Sequence, residues 1–329
     1  MLEINHISKS YGKQPILDQI SLTLEQGTWY TLVGPHASGK TTLLQILAGL
    51  IPPDTGTLIL DGKELPPASK ELSLLAGYLP ENYSFYRHLT AYEYLEYFCA
   101  FYQIYGLKAR SRCNSLLAQL ELTEYKNTSV DFLPTSIKQS LQLARMVLHD
   151  PAIVLIDNIR QNMDAHTRLI TRKFLNRLTE EGKILIMATR ILSGTPALAH
   201  AMGYLQNGHL QISGSLEQLQ AQLNAAAPLR IRVCAQADAA FSLLYKHPLV
   251  RTLSREKNSF SIELIVDYQS APPVGGDVPI HAPIDLSIEL AESKLLSDLM
   301  EASIPVTSFY REGAAFDQLF PQKTEVSHA

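Results

Sequence analysis

Gly34-Pro35-His36-Ala37-Ser38-Gly39-Lys40-Thr41 satisfies G-x-x-x-x-G-K-[ST] at every fixed position. The apolar, β-rich run Trp29-Tyr30-Thr31-Leu32-Val33 precedes it, and the helix-forming run Thr42 to Ala48 follows, so the motif lies between a strand and a helix. Such a stretch binds phosphate. Its two glycines let the backbone curl until successive N–H groups face phosphate oxygens, and the helix N-terminus adds the positive end of its dipole. Lys40 then supplies a positive charge to the β- and γ-phosphates, and the Thr41 hydroxyl is placed to bind Mg²⁺.

Working outward, 329 residues suffice for two domains, and 46% hydrophobic with 18% charged residues is an ordinary globular composition. A net charge of −4 leaves no basic footprint for nucleic acid. The longest apolar runs, Ala152 to Ile156 and Ile184 to Ala188, fall far short of the roughly 20 residues that span a bilayer, so any membrane contact is indirect, through another subunit. Met1-Leu2-Glu3-Ile4-Asn5 carries no export signal, and Cys99, Cys113 and Cys234 are too few and scattered for a disulfide framework or a zinc site, which fits a reducing cytoplasm.

Residues 2–8 and 16–24 alternate apolar and polar as half-buried strands do, and Gln26-Gly27 turns the chain into the strand feeding the phosphate loop. An antiparallel opening follows from this. Ser10-Tyr11-Gly12 places an aromatic in a turn, open to stacking on a base or to plain solvent exposure. Leu58 to Lys63 forms another strand, ending in an Asp-Gly turn.

This order of features resembles the nucleotide-binding subunit of ABC transporters over about residues 1–220. The resemblance implies ATP and Mg²⁺ as ligands, bound by Tyr11 at the adenine-stacking position and by Gly34, Pro35, His36, Ala37, Ser38, Gly39, Lys40, Thr41 and Thr42. Ala76-Gly77-Tyr78-Leu79-Pro80-Glu81 resembles the strand into the family's Q-loop, with Glu81 in place of Gln, where a carboxylate can meet Mg²⁺ or its attacking water.

Thr90 followed by Glu93 is a capping-box signature for a helix predicted through about Tyr105. Tyr94, Phe98, Phe101, Tyr102 and Tyr105 recur on it at helical spacing, as core or as an interface. The resemblance implies that this helical subdomain receives a transmembrane subunit.

Lys138-Gln139-x-Leu141-x-Leu143-Ala144-Arg145-x-x-x-His149-Asp150-Pro151 resembles the segment between the family's signature motif and its Walker B strand. The spacing places Leu133-Pro134-Thr135-Ser136-Ile137 where the family has Leu-Ser-Gly-Gly-Gln, whose serine hydroxyl and glycine N–H groups grip the ATP of an opposing subunit. Pro134 has neither hydroxyl nor N–H, and Thr135 and Ser136 add side chains where close backbone approach is needed. The helix survives and its grip weakens.

Ile153 to Asp157 has the form of a Walker B strand, with Asp157 as a Mg²⁺ ligand beside Thr41 and Glu81. Asn158 stands where the family has the glutamate that polarises the attacking water. An amide orients water without accepting its proton, and losing a general base costs about 10²- to 10⁴-fold in rate. Gln161-Asn162-Met163-Asp164 keeps only the aspartate of the D-loop, and Thr189-Arg190 takes the place of the switch histidine. Together these departures describe a subunit that binds ATP and hydrolyses it poorly. A second reading has Arg190 stabilising γ-phosphate charge as an arginine finger, with Glu81 as base.

Gln220 to Ala227 reads as a helix end and linker. The expected domains are 1–220, a linker at 221–228, and 229–329. In the last, strand Leu229–Val233, helix Asp238–Tyr245, strand Ser261–Val266, a Pro- and Gly-rich loop at 267–283, a helix faced by Leu295, Leu296, Leu299 and Met300, and strand Val306–Tyr310 resemble the ferredoxin-like α+β domain of export-type ABC ATPases. His247 and His281 read as lone surface histidines.

The expectation is therefore an α/β phosphate-loop NTPase of the ABC type, with antiparallel β and helical subdomains and a C-terminal accessory domain. It would serve as the ATP-binding subunit of an exporter on the cytoplasmic face of the inner membrane, docked on transmembrane permease subunits. It would act as a homodimer, or as a heterodimer with a paralogous ATPase subunit. A regulatory ATP-sensing module that shifts a conformational population without turnover is the alternative.

Overall fold

In the computed structural model the described residues are 1–86, 88–158, 164–190, 199–216, 218–219, 229–264 and 286–311. The chain divides into two units, Met1–Leu216 and Glu217–Ala329. The expected linker at 221–228, the loop at 267–283, residues Gln161 to Met163, Val266 and His281 lie outside the described residues.

The first unit opens with β1 (Leu2–Tyr11) and β2 (Gln14–Leu24), paired antiparallel across a two-residue turn at Gly12-Lys13. Leu2, Ile4 and Ile7 of β1 are buried against Leu17, Ile20 and Leu24 of β2. The interval between Ile4 and Ile7 breaks strict alternation, and the break is a register shift at His6, whose φ is 50°. The extra residue at this bulge turns Ile7 back into the core.

The chain continues through β3 (Trp29–Val33), α1 (Lys40–Leu47), β4 (Thr55–Leu60), β5 (Lys63–Leu65), α2 (Lys70–Leu75) and β6 (Ala76–Leu79). There follow α3 (Ala91–Phe101), α4 (Gly106–Gln119), α5 (Thr135–Met146), β7 (Ile153–Asp157), α6 (Ala165–Glu180), β8 (Ile184–Thr189), β9 (Ala201–Gln206) and β10 (His209–Ser215). One sheet, ordered β2-β1-β4-β5, is antiparallel. The other, ordered β10-β9-β3-β8-β7-β6, is parallel from β9 to β6 and closes with antiparallel β10.

Every residue of β3 and β7 is buried and all but Thr31 and Asp157 are apolar, the pattern of parallel strands covered on both faces. Successive side chains leave a strand on opposite faces. Ile153 and Leu155 accordingly enter a core with α1 and the antiparallel sheet, while Val154 and Ile156 enter a second core with the helices.

The capping box on α3 forms as expected: the Thr90 side chain accepts from the Glu93 N–H at 3.2 Å, and Glu93 accepts from the Thr90 N–H at 2.8 Å. The helix ends at Phe101, however, and not at Tyr105. Gln103 and Gly106 take φ values of 57° and 59°, which a right-handed helix excludes, and α4 starts afresh at Gly106. The expected single aromatic face is thereby divided. Tyr94 is fully buried, Tyr102 stacks on His149 with ring centroids 4.0 Å apart, and Phe101 and Tyr105 are exposed.

The second unit contains β11 (Leu229–Val233), α7 (Ala237–Lys246), β12 (Val250–Glu256), β13 (Ser259–Leu264), α8 (Leu286–Glu301) and β14 (Val306–Arg311), with an antiparallel sheet ordered β12-β13-β11-β14. Leu229, Ile231, Val233, Phe260 and Ile262 meet Ala240, Leu244, Leu295 and Leu299 in its core. Met300, expected on the same face, is exposed. His247 is not a surface residue. It is buried, accepts the Leu249 N–H at Nδ1 (3.2 Å), and donates from Nε2 to Asp298 (2.8 Å), tying the end of α7 to α8.

Candidate functional site

The register of the parallel sheet assembles the site. Val33 lies beside Thr189, Ala188 beside Asp157, and Ile156 beside Leu79, so β3, β8, β7 and β6 end along one edge. Residues just past those ends are Gly34, Arg190, Asn158 and Glu81 respectively. Open parallel sheets bind ligands at their carboxyl ends.

Between β3 and α1 the loop turns through Ala37 (φ 59°) and Gly39 (φ 104°). A Cβ on Gly34 would lie 2.2 Å from the Leu205 carbonyl oxygen, and one on Gly39 would lie 2.8 Å from that of Ile16. Backbone on both sides leaves room only for glycine. Lys40, the first residue of α1, curls over this loop and donates to the carbonyls of Gly34 (2.8 Å) and Pro35 (2.7 Å) and to Ser38 Oγ (3.0 Å). Burial lowers its pKa to about 8, with the nearby Asp157 charge opposing that shift and Arg190 adding to it.

Asp157 is buried at the end of β7. Burial raises its carboxyl pKa and the Glu81 charge adds to the rise, while hydrogen bonds with Thr41 and Tyr78 oppose it. Thr41 and Asp157 thus place two hard oxygen donors together, and one is a buried anion that a divalent cation would neutralise. That donor set fits Mg²⁺ sharing phosphate oxygens. Among the described residues no group of three or more His, Cys, Asp or Glu side chains is disposed to hold a metal by itself.

Glu81, Asn158 and Arg190 converge. Asn158 Nδ2 donates to Glu81 Oε1 at 2.9 Å, and Arg190 donates to the same oxygen at 3.1 Å. Asn158 sits at φ 62°, a conformation asparagine tolerates, and its N–H is held by the Ala188 carbonyl at 3.0 Å.

Tyr11 lies apart, 52% exposed at the end of β1. Pro134 is the N-cap of α5 and makes no side-chain cap bond, and Thr135 opens the helix. Among the described residues Pro134, Thr135 and Ser136 make no hydrogen bond to the phosphate loop. Asp164 caps α6 through the Thr167 N–H at 2.8 Å, and its carboxyl pKa is held down by the Thr167 bonds first and by nearby Ser136 to a lesser degree. Sequence reasoning missed Tyr78, whose hydroxyl donates to Asp157 at 3.4 Å and whose pKa burial raises. Alternation in β6 was the available signal, because Tyr78 is the polar-tipped residue between buried Gly77 and Leu79.

A glycine-lined loop opening a helix at the edge of a parallel sheet, with a buried lysine above it and a buried aspartate facing it, defines a nucleoside-triphosphate-binding protein of the phosphate-loop class. The comparisons narrow the class. The pattern of the family described as ABC transporter matches residues 17–160. A probable sulfate/thiosulfate import ATP-binding protein of Chlorella vulgaris is 30% identical over 217 residues, covering 66% of this chain and 92% of that protein. A linearmycin resistance ATP-binding protein of Bacillus subtilis is 24% identical, covering 71% and 75%. A Nod factor export ATP-binding protein of Ralstonia nicotianae is 25% identical over 280 residues, covering 80% and 87%.

Among solved structures, an ATP-binding subunit of an ABC transporter superposes with a TM-score of 0.61 at 22% identity, covering 68% of this chain and 92% of that one. A dimeric ATP-binding cassette in a post-hydrolysis state with ADP and phosphate gives 0.58 at 24% identity, covering 66% and 99%. The chain belongs to the ABC transporter family, as one of its ATP-binding subunits. No described helix is long and apolar enough to cross a membrane.

Proposed function

We propose that this chain is the ATP-binding subunit of an export-type ABC transporter, a cytoplasmic protein held at the inner face of the membrane by separate transmembrane permease subunits. The observation carrying this reading is the phosphate loop closed by Lys40 and faced by Asp157 at the carboxyl edge of the sheet. Export is supported by the linearmycin resistance and Nod factor export relatives. The latter alignment, covering 80% of 329 residues, extends beyond the 216 residues of the first unit. The βαββαβ order of the second unit supports a ferredoxin-like accessory domain from residue 229, after a nucleotide-binding domain through 220.

In this reading the N–H groups of the loop Gly34 to Thr42 receive the phosphates, and Lys40 leaves the Gly34 and Pro35 carbonyls to meet them. Thr41 and Asp157 hold Mg²⁺, which supplies charge neutralisation, and Tyr11 stacks on the adenine. Two subunits, identical or paralogous, close head to tail over two ATP molecules, with Pro134, Thr135 and Ser136 facing the opposing ATP. Hydrolysis is slow for two reasons. Pro134 removes an N–H from that face, and Asn158 takes no proton, so a proton acceptor has to come from another strand end.

Equilibrium titration with a fluorescent ATP analogue, beside co-purification with permease subunits in membrane vesicles, tests the reading. Wild type binds at micromolar concentration, and Lys40→Met weakens binding at least tenfold. Affinity indifferent to Lys40→Met would refute it.

A further inference from the structure

The geometry points to Glu81 as the proton acceptor of this site, in a catalytic centre where acid and amide have exchanged positions and Asn158 and Arg190 serve as positioning residues. The inference rests on the ATP-binding reading above and names how such a site turns over. Three observations carry it.

First, the three side chains come from separate strand ends, 77 and 109 residues from Glu81 in the chain, and meet at one atom, Glu81 Oε1. Both donors use that oxygen, and among the described residues no hydrogen bond to Oε2 is found. Secondly, Glu81 belongs electrostatically to the phosphate site, because its charge acts on both Lys40 and Asp157. Thirdly, stability does not explain the cluster. Glu81 and Arg190 side chains are 41% and 48% exposed, and an ion pair that open contributes about 0–1 kcal/mol.

The exchange is also balanced in charge. Bringing a second carboxylate beside a polyphosphate and Asp157 is repulsive, and Arg190 offsets it with one positive charge held 3.1 Å away. Asn158, with its backbone fixed, orients water through its amide while the carboxylate it touches takes the proton. In the step, the water oxygen forms a bond to the γ-phosphorus as its proton passes to Glu81 Oε2. The bond from that phosphorus to the β–γ bridging oxygen breaks, ADP keeps the electron pair, and Glu81 then returns its proton to solvent.

The test compares the full-length wild type, Glu81→Gln, Glu81→Gln/Asn158→Glu, Arg190→Ala and Lys40→Met. Three readouts are taken on each: steady-state ATP turnover, equilibrium affinity for a fluorescent ATP analogue without Mg²⁺, and the ratio of ATP to ADP retained after desalting. Thermal melts confirm that each variant is folded. Glu81→Gln is expected to lower kcat about 100-fold or more, to tighten affinity about tenfold because the Arg190 charge is then unopposed, and to retain ATP where wild type retains ADP. The double variant, which returns the acid to position 158, is expected to recover at least about tenfold over Glu81→Gln. Arg190→Ala is expected to weaken affinity about tenfold, because it leaves Glu81 uncompensated.

Wild-type turnover in folded Glu81→Gln overturns the inference, and so does a double variant no faster than Glu81→Gln. Wild type that binds ATP yet turns over no faster than Lys40→Met overturns it as well and leaves the ATP-binding reading standing. Wild type that does not bind ATP overturns both.

Discussion

Raising the pH from 7.5 to 9.5 should both stabilise the nucleotide-free protein and weaken its hold on ATP, through the single amine of Lys40. The folded chain holds this amine at a pKa of about 8, against 10.5 when unperturbed. Between those values the unfolded state binds more protons than the folded one, so this group's contribution to stability rises with pH over that window. Taking the two binding polynomials at pH 7.5 and 9.5 gives about 1.8 kcal/mol of gain, or about 4–7 °C in Tm for a domain near 200 residues. ATP binding runs the other way. Phosphates restore the ammonium, so affinity requires a proton that the free protein has lost above pH 8, and it falls about twentyfold over the same interval. Because other groups titrate too, the quantity to measure is the difference between wild type and Lys40→Met, by thermal melts and by fluorescent-nucleotide titration. Parallel pH profiles for wild type and Lys40→Met in both assays would falsify the burial argument.

Other outcomes follow from particular contacts. Gly34→Ala puts a Cβ 2.2 Å from the Leu205 carbonyl oxygen, and because that oxygen is backbone and cannot swing aside the strain should cost about 1–3 kcal/mol, read as a drop in Tm with weakened ATP binding. Thr90→Ala removes half of the capping box on α3 and should cost about 0.5–2 kcal/mol in denaturant unfolding while leaving nucleotide affinity unchanged. Cys99 and Cys113 are buried 3.6 Å apart, with thiol pKa values raised by burial, whereas Cys234 is exposed. A thiol reagent at pH 8 should therefore modify one cysteine in the native chain and three after denaturation, and rapid native labelling of all three would contradict the packing.

The local signals were legible where a short segment carries its whole explanation. Two glycines, a lysine and a threonine at set spacing between an apolar strand and a helix are enough to specify the phosphate loop, because its geometry is made by its own backbone. The strand from Ile153 to Asp157 was equally plain, since a parallel strand covered on both faces reads as an apolar run, here Ile153 to Ile156 with Asp157 at its end. Helices α4 and α6 were less legible. Their buried faces include Ala109, Cys113, Thr167 and Thr171, small or polar residues that blur a hydrophobic period. The break after Phe101 was hidden too, because the aromatic spacing runs on through it, while Gln103 and Gly106 take left-handed backbone angles.

The sequence alone is enough to read the phosphate loop, the strand that presents Asp157 and the antiparallel opening, and to single out Glu81, Asn158 and Arg190. It did not determine that those three would share one oxygen atom. Sequence separations of 77 and 109 residues carry no distance, and the meeting depends on the order β3-β8-β7-β6 and on parallel registers that end those strands along one edge. His247 makes the same point in the second unit. A lone histidine reads as surface until Asp298, 51 residues away, is packed against it, because burying an imidazole requires partners for its polar nitrogens and only the fold supplies them.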